Sequence, residues 1–356
     1  MPSSTFNFER VIPAVPWSGI ALAAVLLTAA ATAAWELRCR ALGYGPTLND
    51  TPDLWADRRG AVQPDSVVIV GDSRAWFDLD LDELERGLGR RPVQLAVPGS
   101  CAYPIFADLA ADESFHGTII CSIVPAMFFA PAGPPIENSQ EVLDRYHHRT
   151  VSQRAGDWLG QRLEEQVAFL KQEDLTLEQL LKRLPIPNRA TAHVSPPLPP
   201  YFQTVDRERR ARMFALCAQP GPLQDRVKFG WLRLFTPPPP PSFIPTDVFL
   251  ANMGKAVEKR FHDVAADAAR LRARGAKIVF VRFPVSGELK KLEDHATPRT
   301  GIWTRLLQDT GVPGIYFEDY PELAGFVCPE WSHLSAPDSV LFTQRLVPHL
   351  REALAK

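Results

Sequence analysis

Ser66-Val-Val-Ile-Val70, running directly into Gly71-Asp72-Ser73, is the stretch on which the fold turns. A short β-branched run with no polar alternation suits a strand buried on both faces, the situation of a parallel sheet. Working outward, the same pattern of apolar run and breaker recurs. Val93-Gln-Leu-Ala-Val97 is stopped by Pro98-Gly99, and Thr118 to Val124 by Pro125. Lys277 to Phe283 and Gly314 to Glu318 read as a fourth and a fifth strand. Between them, Asp80 to Leu88 reads as a helix with an acidic first turn, and Phe249 to Arg274 as a long helix stopped by Gly275. Ala336 to Ala355 reads as a closing amphipathic helix. Strands alternating with helices predict an α/β domain whose parallel sheet is covered on both faces.

Before this rhythm starts, Trp17 to Trp35 (WSGIALAAVLLTAAATAAW) contains no charged residue. At about 1.5 Å per residue it nearly spans a hydrocarbon core of roughly 30 Å. Trp17 and Trp35 stand at its ends, where amphipathic rings favour a membrane interface. The reading is a single retained transmembrane anchor at 17–35 after a tail at 1–16. A secretory signal with an Ala-rich cleavage region is the alternative. Residues 36–64 read as a polar linker, with no lipoprotein-like box around Cys39. Arg38 and Arg40 follow the span, which by the positive-inside rule would hold the large domain in the cytoplasm.

The α/β rhythm breaks between 133 and 246. Helical stretches at Trp158 to Leu170 and Leu175 to Leu184 are separated by proline runs at Pro196 to Pro200 and Pro237 to Pro241. Proline runs lack backbone donors and favour polyproline II. The region reads as a Pro-rich helical insertion, either surface packing or a binding element, between two parts of one catalytic domain at 65–132 and 247–356.

Composition narrows the function. A formal net charge of −2 and no cluster of Lys and Arg leave nucleic-acid binding without electrostatic support. The cysteines (Cys39, Cys101, Cys121, Cys217, Cys328) form no CxxC pair. No His/Cys cluster has ligand spacing, so neither metal nor cofactor is implied.

In an α/β sheet, ligands bind beyond the carboxyl ends of the strands, and Ser73 and Gly99 both sit there. A serine hydroxyl becomes a nucleophile when a base removes its proton, and that base needs a third group to hold it. Pro329-Glu330-Trp331-Ser332-His333-Leu334, just before the closing helix, supplies a carboxylate three residues ahead of a histidine. Within one turn Glu330 can reach the imidazole Nδ1 and leave the other nitrogen for Ser73. Asp319, after the fifth strand, is the alternative acid. Cys101 reads as a small buried residue, with no basic neighbour in sequence to activate it.

This arrangement resembles the SGNH/GDSL hydrolase superfamily, in which a GDS block follows the first strand and a D-x-x-H block precedes the last helix. Gly71-Asp72-Ser73 matches the first block; Glu330-x-x-His333 matches the last with Glu for Asp. Gly99, in Ala96-Val-Pro-Gly-Ser100, looks like the glycine of the second block. The third block, Gly-x-Asn-Asp, is not found: the third strand ends Ser122-Ile-Val-Pro125, and the nearest following asparagine is Asn138. The resemblance covers roughly Ser66 to Val124 and Lys277 onward. It implies an SGNH-like, flavodoxin-like three-layer fold and a triad of Ser73, His333 and Glu330. The oxyanion hole would be built from the backbone N–H groups of Ser73 and Gly99. Asp72, Arg74 and Trp331, which flank the triad, would shape the pocket.

The resemblance also implies a chemistry. Single-span members of this superfamily commonly add or remove acetyl groups on envelope polysaccharides outside the cytoplasm. Some work beside a multi-span membrane-bound O-acyltransferase. The expectation is therefore an O-acyltransferase, most simply O-acetyl, anchored in the inner membrane with its catalytic domain in the periplasm and a cell-envelope glycan as acceptor. A plain carbohydrate or lipid esterase, and a non-catalytic binding subunit of an envelope assembly complex, are the competing readings.

Overall fold

The computed structural model describes residues 16–171, 175, 177–182, 184, 199–235 and 243–355. Its strands are β1 (Val67–Val70), β2 (Val93–Gln94), β3 (Thr118–Ser122), β4 (Gln203–Val205), β5 (Ala211–Met213), β6 (Lys277–Arg282) and β7 (Gly314–Tyr316). Its principal helices are α1 (Trp17–Ala41), α2 (Pro52–Gly60), α3 (Ser73–Phe77), α4 (Leu81–Leu88), α5 (Tyr103–Ala111), α6 (Pro134–His148), α7 (Val151–Glu164), α8 (Pro222–Phe235), α9 (Thr246–Ala273), α10 (Gly287–Ala296) and α11 (Ala336–Ala355).

Five strands form one parallel sheet in the order β2-β1-β3-β6-β7. Every residue of β1 is buried, as its uninterrupted apolar run predicts. The chain steps from β1 to β2 on one side, then returns past β1 to β3 and continues outward. Crossovers of one hand in opposite directions place helices on opposite faces. Accordingly α4 packs with α11, and α5 with α9. The reversal opens a crevice at the carboxyl ends of β1 and β3, where doubly wound sheets bind ligands. β2 is shorter than the run Val93 to Val97 suggests, yet its pairing continues: Leu95 N–H donates to Ile69 O (2.9 Å) and Val97 N–H to Gly71 O (3.0 Å). β7 stops at Tyr316 because Phe317–Asp319 tightens into a 3₁₀ turn.

α1 is long and apolar enough to cross a membrane, and none of its most apolar 18-residue window is buried in the protein. It also runs past Trp35 to Ala41, since no helix breaker occurs before Gly43 and Glu36 pairs with Arg40 one turn on. The expected linker at 36–64 is therefore corrected. Beyond the helical residues through Ala41, the chain is tied into the body of the protein. Leu48 N–H donates to Val205 O (3.1 Å). Asp50 accepts a two-pronged contact from Arg209 (2.6 and 2.7 Å). α2 buries Trp55, whose indole N–H donates to Leu95 O (2.9 Å). Asp57 is exposed, and Asp53 and Arg59 pair with Arg145 and Asp108, so the segment reads as polar.

In the region 133–246, α7 and a 3₁₀ turn at Ala168–Leu170 fall on the anticipated Trp158 to Leu170 stretch, and Leu177–Lys182 is helical within Leu175 to Leu184, of which 176 and 183 lie outside the described residues. The region also contains an unanticipated antiparallel hairpin, β4–β5. Phe202, Val205, Met213 and Val227 belong to the same core as the sheet, so this region is packed into the domain. The proline run Pro237 to Pro241 and most of Pro196 to Pro200 lie outside the described residues or at their edges.

Candidate active site

β1 ends at Gly71, which lies so close to β3 that a Cβ there would approach Ser122 Cβ to 2.6 Å and Ala75 Cβ to 2.8 Å. Asp72 then caps α3: its Oδ1 accepts from Arg74 N–H (2.8 Å) and its Oδ2 from the Ser122 hydroxyl (3.0 Å). Ser73, the first residue of α3, is thereby fixed at the strand end with its side chain half-buried.

The turn before α11 brings in the partners. Glu330 and His333 are both fully buried. His333 Nδ1 lies 3.0 Å from Glu330 Oε1, and His333 Nε2 lies 2.8 Å from Ser73 Oγ. Glu330 Oε1 also accepts from the His333 backbone N–H (2.5 Å), and Oε2 accepts from the Trp231 indole N–H. The His333 backbone N–H and the Trp231 indole N–H both donate to this carboxylate, and with the imidazole proton on Nδ1 the ring adds a third bond. Nε2 is then left with its lone pair toward Ser73, whose hydroxyl donates to it. Phe77, Phe202 and Trp231 surround the imidazole, with ring centroids 4.4, 5.9 and 5.7 Å away.

Trp331 holds the turn in place. Among the described residues it is one of two non-glycine residues with positive φ (81°), and its ring fills the space a side chain at Gly287 would need. Its carbonyl accepts from Ser286 N–H (2.8 Å). Such strain persists only where the surroundings over-determine it. Here it lets Glu330 and His333 point the same way. Trp331 thus supports the turn, while Asp72 and Arg74 are buried. Arg74 is buried and paired to Glu293, which also pairs with Arg282. Burial alone would raise the Glu293 pKa, but the two guanidinium groups pull it down to about 2.

Gly99 adopts a positive φ (64°), a conformation that a Cβ would strain. Its carbonyl accepts from Asn138 Nδ2 (3.0 Å), on the first turns of α6. An asparagine thus reaches Gly99 from a helix of the region 133–246. An amide nitrogen carries two hydrogens, so one remains beyond the bond to Gly99. Asp319, the alternative acid, is exposed and engaged by Arg299 (2.8 and 2.6 Å). Cys101 is buried, and that burial pushes its thiol up despite Arg260 Nη1 at 3.0 Å from the sulfur.

Trp231, Phe202 and Asp78 escape a reading of the sequence. Asp78, fully buried at the end of α3, accepts from Leu334 N–H (2.8 Å), and burial raises its pKa well above the ordinary carboxyl range. A cavity of about 490 Å³ lined by Asp65, Thr118 and Lys277 lies at the amino ends of β1, β3 and β6, away from Ser73. Among the described residues no group of His, Cys, Asp and Glu is placed to hold a metal ion. No family model matches the chain, no curated protein matches it, and no solved structure matches it.

Proposed function

We propose that the chain is a serine-dependent O-acyltransferase that works through an acyl-Ser73 intermediate. The observation that carries this reading is the continuous hydrogen-bonded series Ser73–His333–Glu330, at 2.8 and 3.0 Å. In the first half-reaction Ser73 Oγ attacks the acyl carbonyl of an ester donor as His333 Nε2 takes the hydroxyl proton. The carbonyl oxygen becomes an oxyanion. We assign its stabilisation to the N–H groups of Ser73 and Gly99, with the second amide hydrogen of Asn138 as a further donor. The tetrahedral species collapses, the donor C–O bond breaks, and the imidazolium returns its proton to the leaving oxygen. In the second half-reaction His333 removes a proton from the acceptor hydroxyl. That oxygen attacks the acyl carbon, and Ser73 recovers its proton.

The fully buried imidazole, enclosed by Phe77, Phe202 and Trp231, supports transfer to an organic hydroxyl over hydrolysis. Excluding bulk water from the base suppresses the competing reaction. The acceptor we favour is a cell-envelope glycan hydroxyl and the acyl group acetyl, with a multi-span acyltransferase as a fitting supplier. This places the domain on the periplasmic side of the inner membrane. A fluorophosphonate probe tests the chemistry: it should label wild type and not Ser73→Ala. Release of alcohol from an activated acetyl ester should then speed up when oligosaccharide is added, with acetylated sugar as product. Labelling without any acceptor effect would make the protein a plain esterase, and no labelling would leave a binding subunit.

A further inference from the structure

On leaving α1 at Ala41, the chain turns at once into the wall of an apolar groove. Leu42, Tyr44, Tyr201, Phe214, Leu216 and Leu223 line it, enclosing about 570 Å³. Tyr44 and Tyr201 stack at 6.2 Å, and Phe214 meets Tyr201 edge-on at 4.9 Å, so the floor is firmly built. The rim is different: Leu216 is 70 % and Leu42 53 % exposed. Arg226, exposed on α8, stands at the same opening.

What covers these leucines follows from covalent geometry. Leu42 to Tyr44 lie within three residues of the end of α1, a reach of at most about 10 Å. The foot of α1 is also clamped. The Glu36 carboxylate accepts from the backbone N–H groups of Ala168 (2.9 Å) and Phe169 (3.1 Å). Cys39 is buried against Ala168 and Leu175. With α1 in a bilayer, the groove cannot swing away from the surface through which the helix emerges. Leu42 stands about 10 Å along the helix axis beyond Trp35, so the groove opens at the outer edge of the headgroup layer, which is several ångströms thick.

We propose that this groove is a lipid site: it takes an acyl chain of a membrane phospholipid, and Arg226 meets the headgroup phosphate. Its size lies in the range of pockets that bury a small organic ligand. An apolar floor with a guanidinium at the mouth matches the two ends of a phospholipid. The site does not depend on the reading of Ser73, since a non-catalytic protein with this groove would bind lipid equally. It does stand close to the chemistry. α8 carries Leu223 and Arg226 into the groove and, five residues on, Trp231 to Glu330.

The test uses the full chain in phosphatidylglycerol/phosphatidylcholine vesicles doped with a phosphatidylcholine carrying a photoactivatable diazirine in one acyl chain. After illumination, labelled peptides are located by mass spectrometry. Labels are expected on α1 and on peptides containing Leu42 to Tyr44 or Leu216 to Arg226. Leu216→Glu, at a site exposed enough to leave folding intact, should cut groove labelling at least five-fold and leave α1 labelling unchanged. Ser73→Ala should label like wild type, which separates this result from the acyltransferase question. Labels confined to α1, no label on α1, groove labels that persist in Leu216→Glu, or chain-to-chain contacts through the groove would each overturn the proposal.

Discussion

Trp231 donates its indole N–H to Glu330 Oε2, the carboxylate oxygen that His333 does not use. A helix of the Pro-rich region thereby completes the hydrogen bonding of a fully buried acid. Trp231→Phe keeps the ring and deletes the donor. An unsatisfied buried oxygen costs about 1–3 kcal/mol. Falling on the transition state, that range lowers turnover of an activated acetyl ester by about five- to 160-fold at unchanged KM. A loss confined to KM would instead place Trp231 in substrate binding.

The triad predicts a ranked series. Ser73→Ala and His333→Ala should each abolish acyl-enzyme formation, read as intact mass after exposure to the ester, while the melting curve stays cooperative. Glu330→Gln should slow the reaction less, as the orienting acid is often the least costly member to lose. Undiminished turnover in Ser73→Ala would remove the assignment altogether.

Asn138 is the expected third oxyanion donor. Asn138→Ala should lower kcat by about 10²–10³, equivalent to about 2.7–4 kcal/mol. Because the residue is half-buried on an otherwise intact helix, its melting temperature should move little. Stopped-flow acylation rates equal to wild type would return Asn138 to the role of holding the Gly99 carbonyl.

Glu293 neutralises two buried arginines, and its removal should be felt in stability before activity. Glu293→Gln leaves Arg74 and Arg282 uncompensated, a change that typically costs about 3–5 kcal/mol. The pH dependence has a definite sign. Its pKa is depressed from 4.5 to about 2, so its stabilisation is complete above the ordinary value and is lost as pH falls through 2. Wild type should therefore lose more stability than Glu293→Gln when denaturant titrations are repeated at falling pH.

Asp78 behaves in the opposite sense. Its pKa is raised by burial, so the folded protein keeps the proton that the unfolded chain releases above the ordinary value of 3.8. Stability contributed by the protonated form is therefore eroded as pH rises from about 4. Asp78→Asn keeps an oxygen for Leu334 N–H and removes the titration. Its melting temperature should gain on wild type between pH 4 and pH 8; a constant difference would show that Asp78 is ionised in the fold.

The residues that sequence made legible share one property: their signal is local. β1 ends in a glycine turn, so Ser73 could be placed from its immediate neighbours. Glu330 and His333 are three residues apart, so one turn joins them. Trp231 reaches Glu330 across 99 positions, and no periodicity records that contact. Asn138 arrives from α6, where the absent third block gave no reason to look. The β4–β5 strands, three residues each, are too short to show alternation. α2 hid Trp55 among Asp53, Asp57, Arg58 and Arg59, so a helix that packs against the sheet looked like a tether.

The clamp between Glu36 and the turn at Ala168 and Phe169 bears on how the protein would meet its substrates. A flexible tether lets a domain sweep a hemisphere above the bilayer and sample acceptors at many heights. A stalk locked at its foot removes that freedom. Anchored through α1, Ser73 would patrol a single plane at fixed altitude, and encounter would become a two-dimensional search by lateral diffusion. Reach would then discriminate among substrates before any pocket does: chains that rise to the level of Ser73 are within range, and those held lower or drifting higher are passed over.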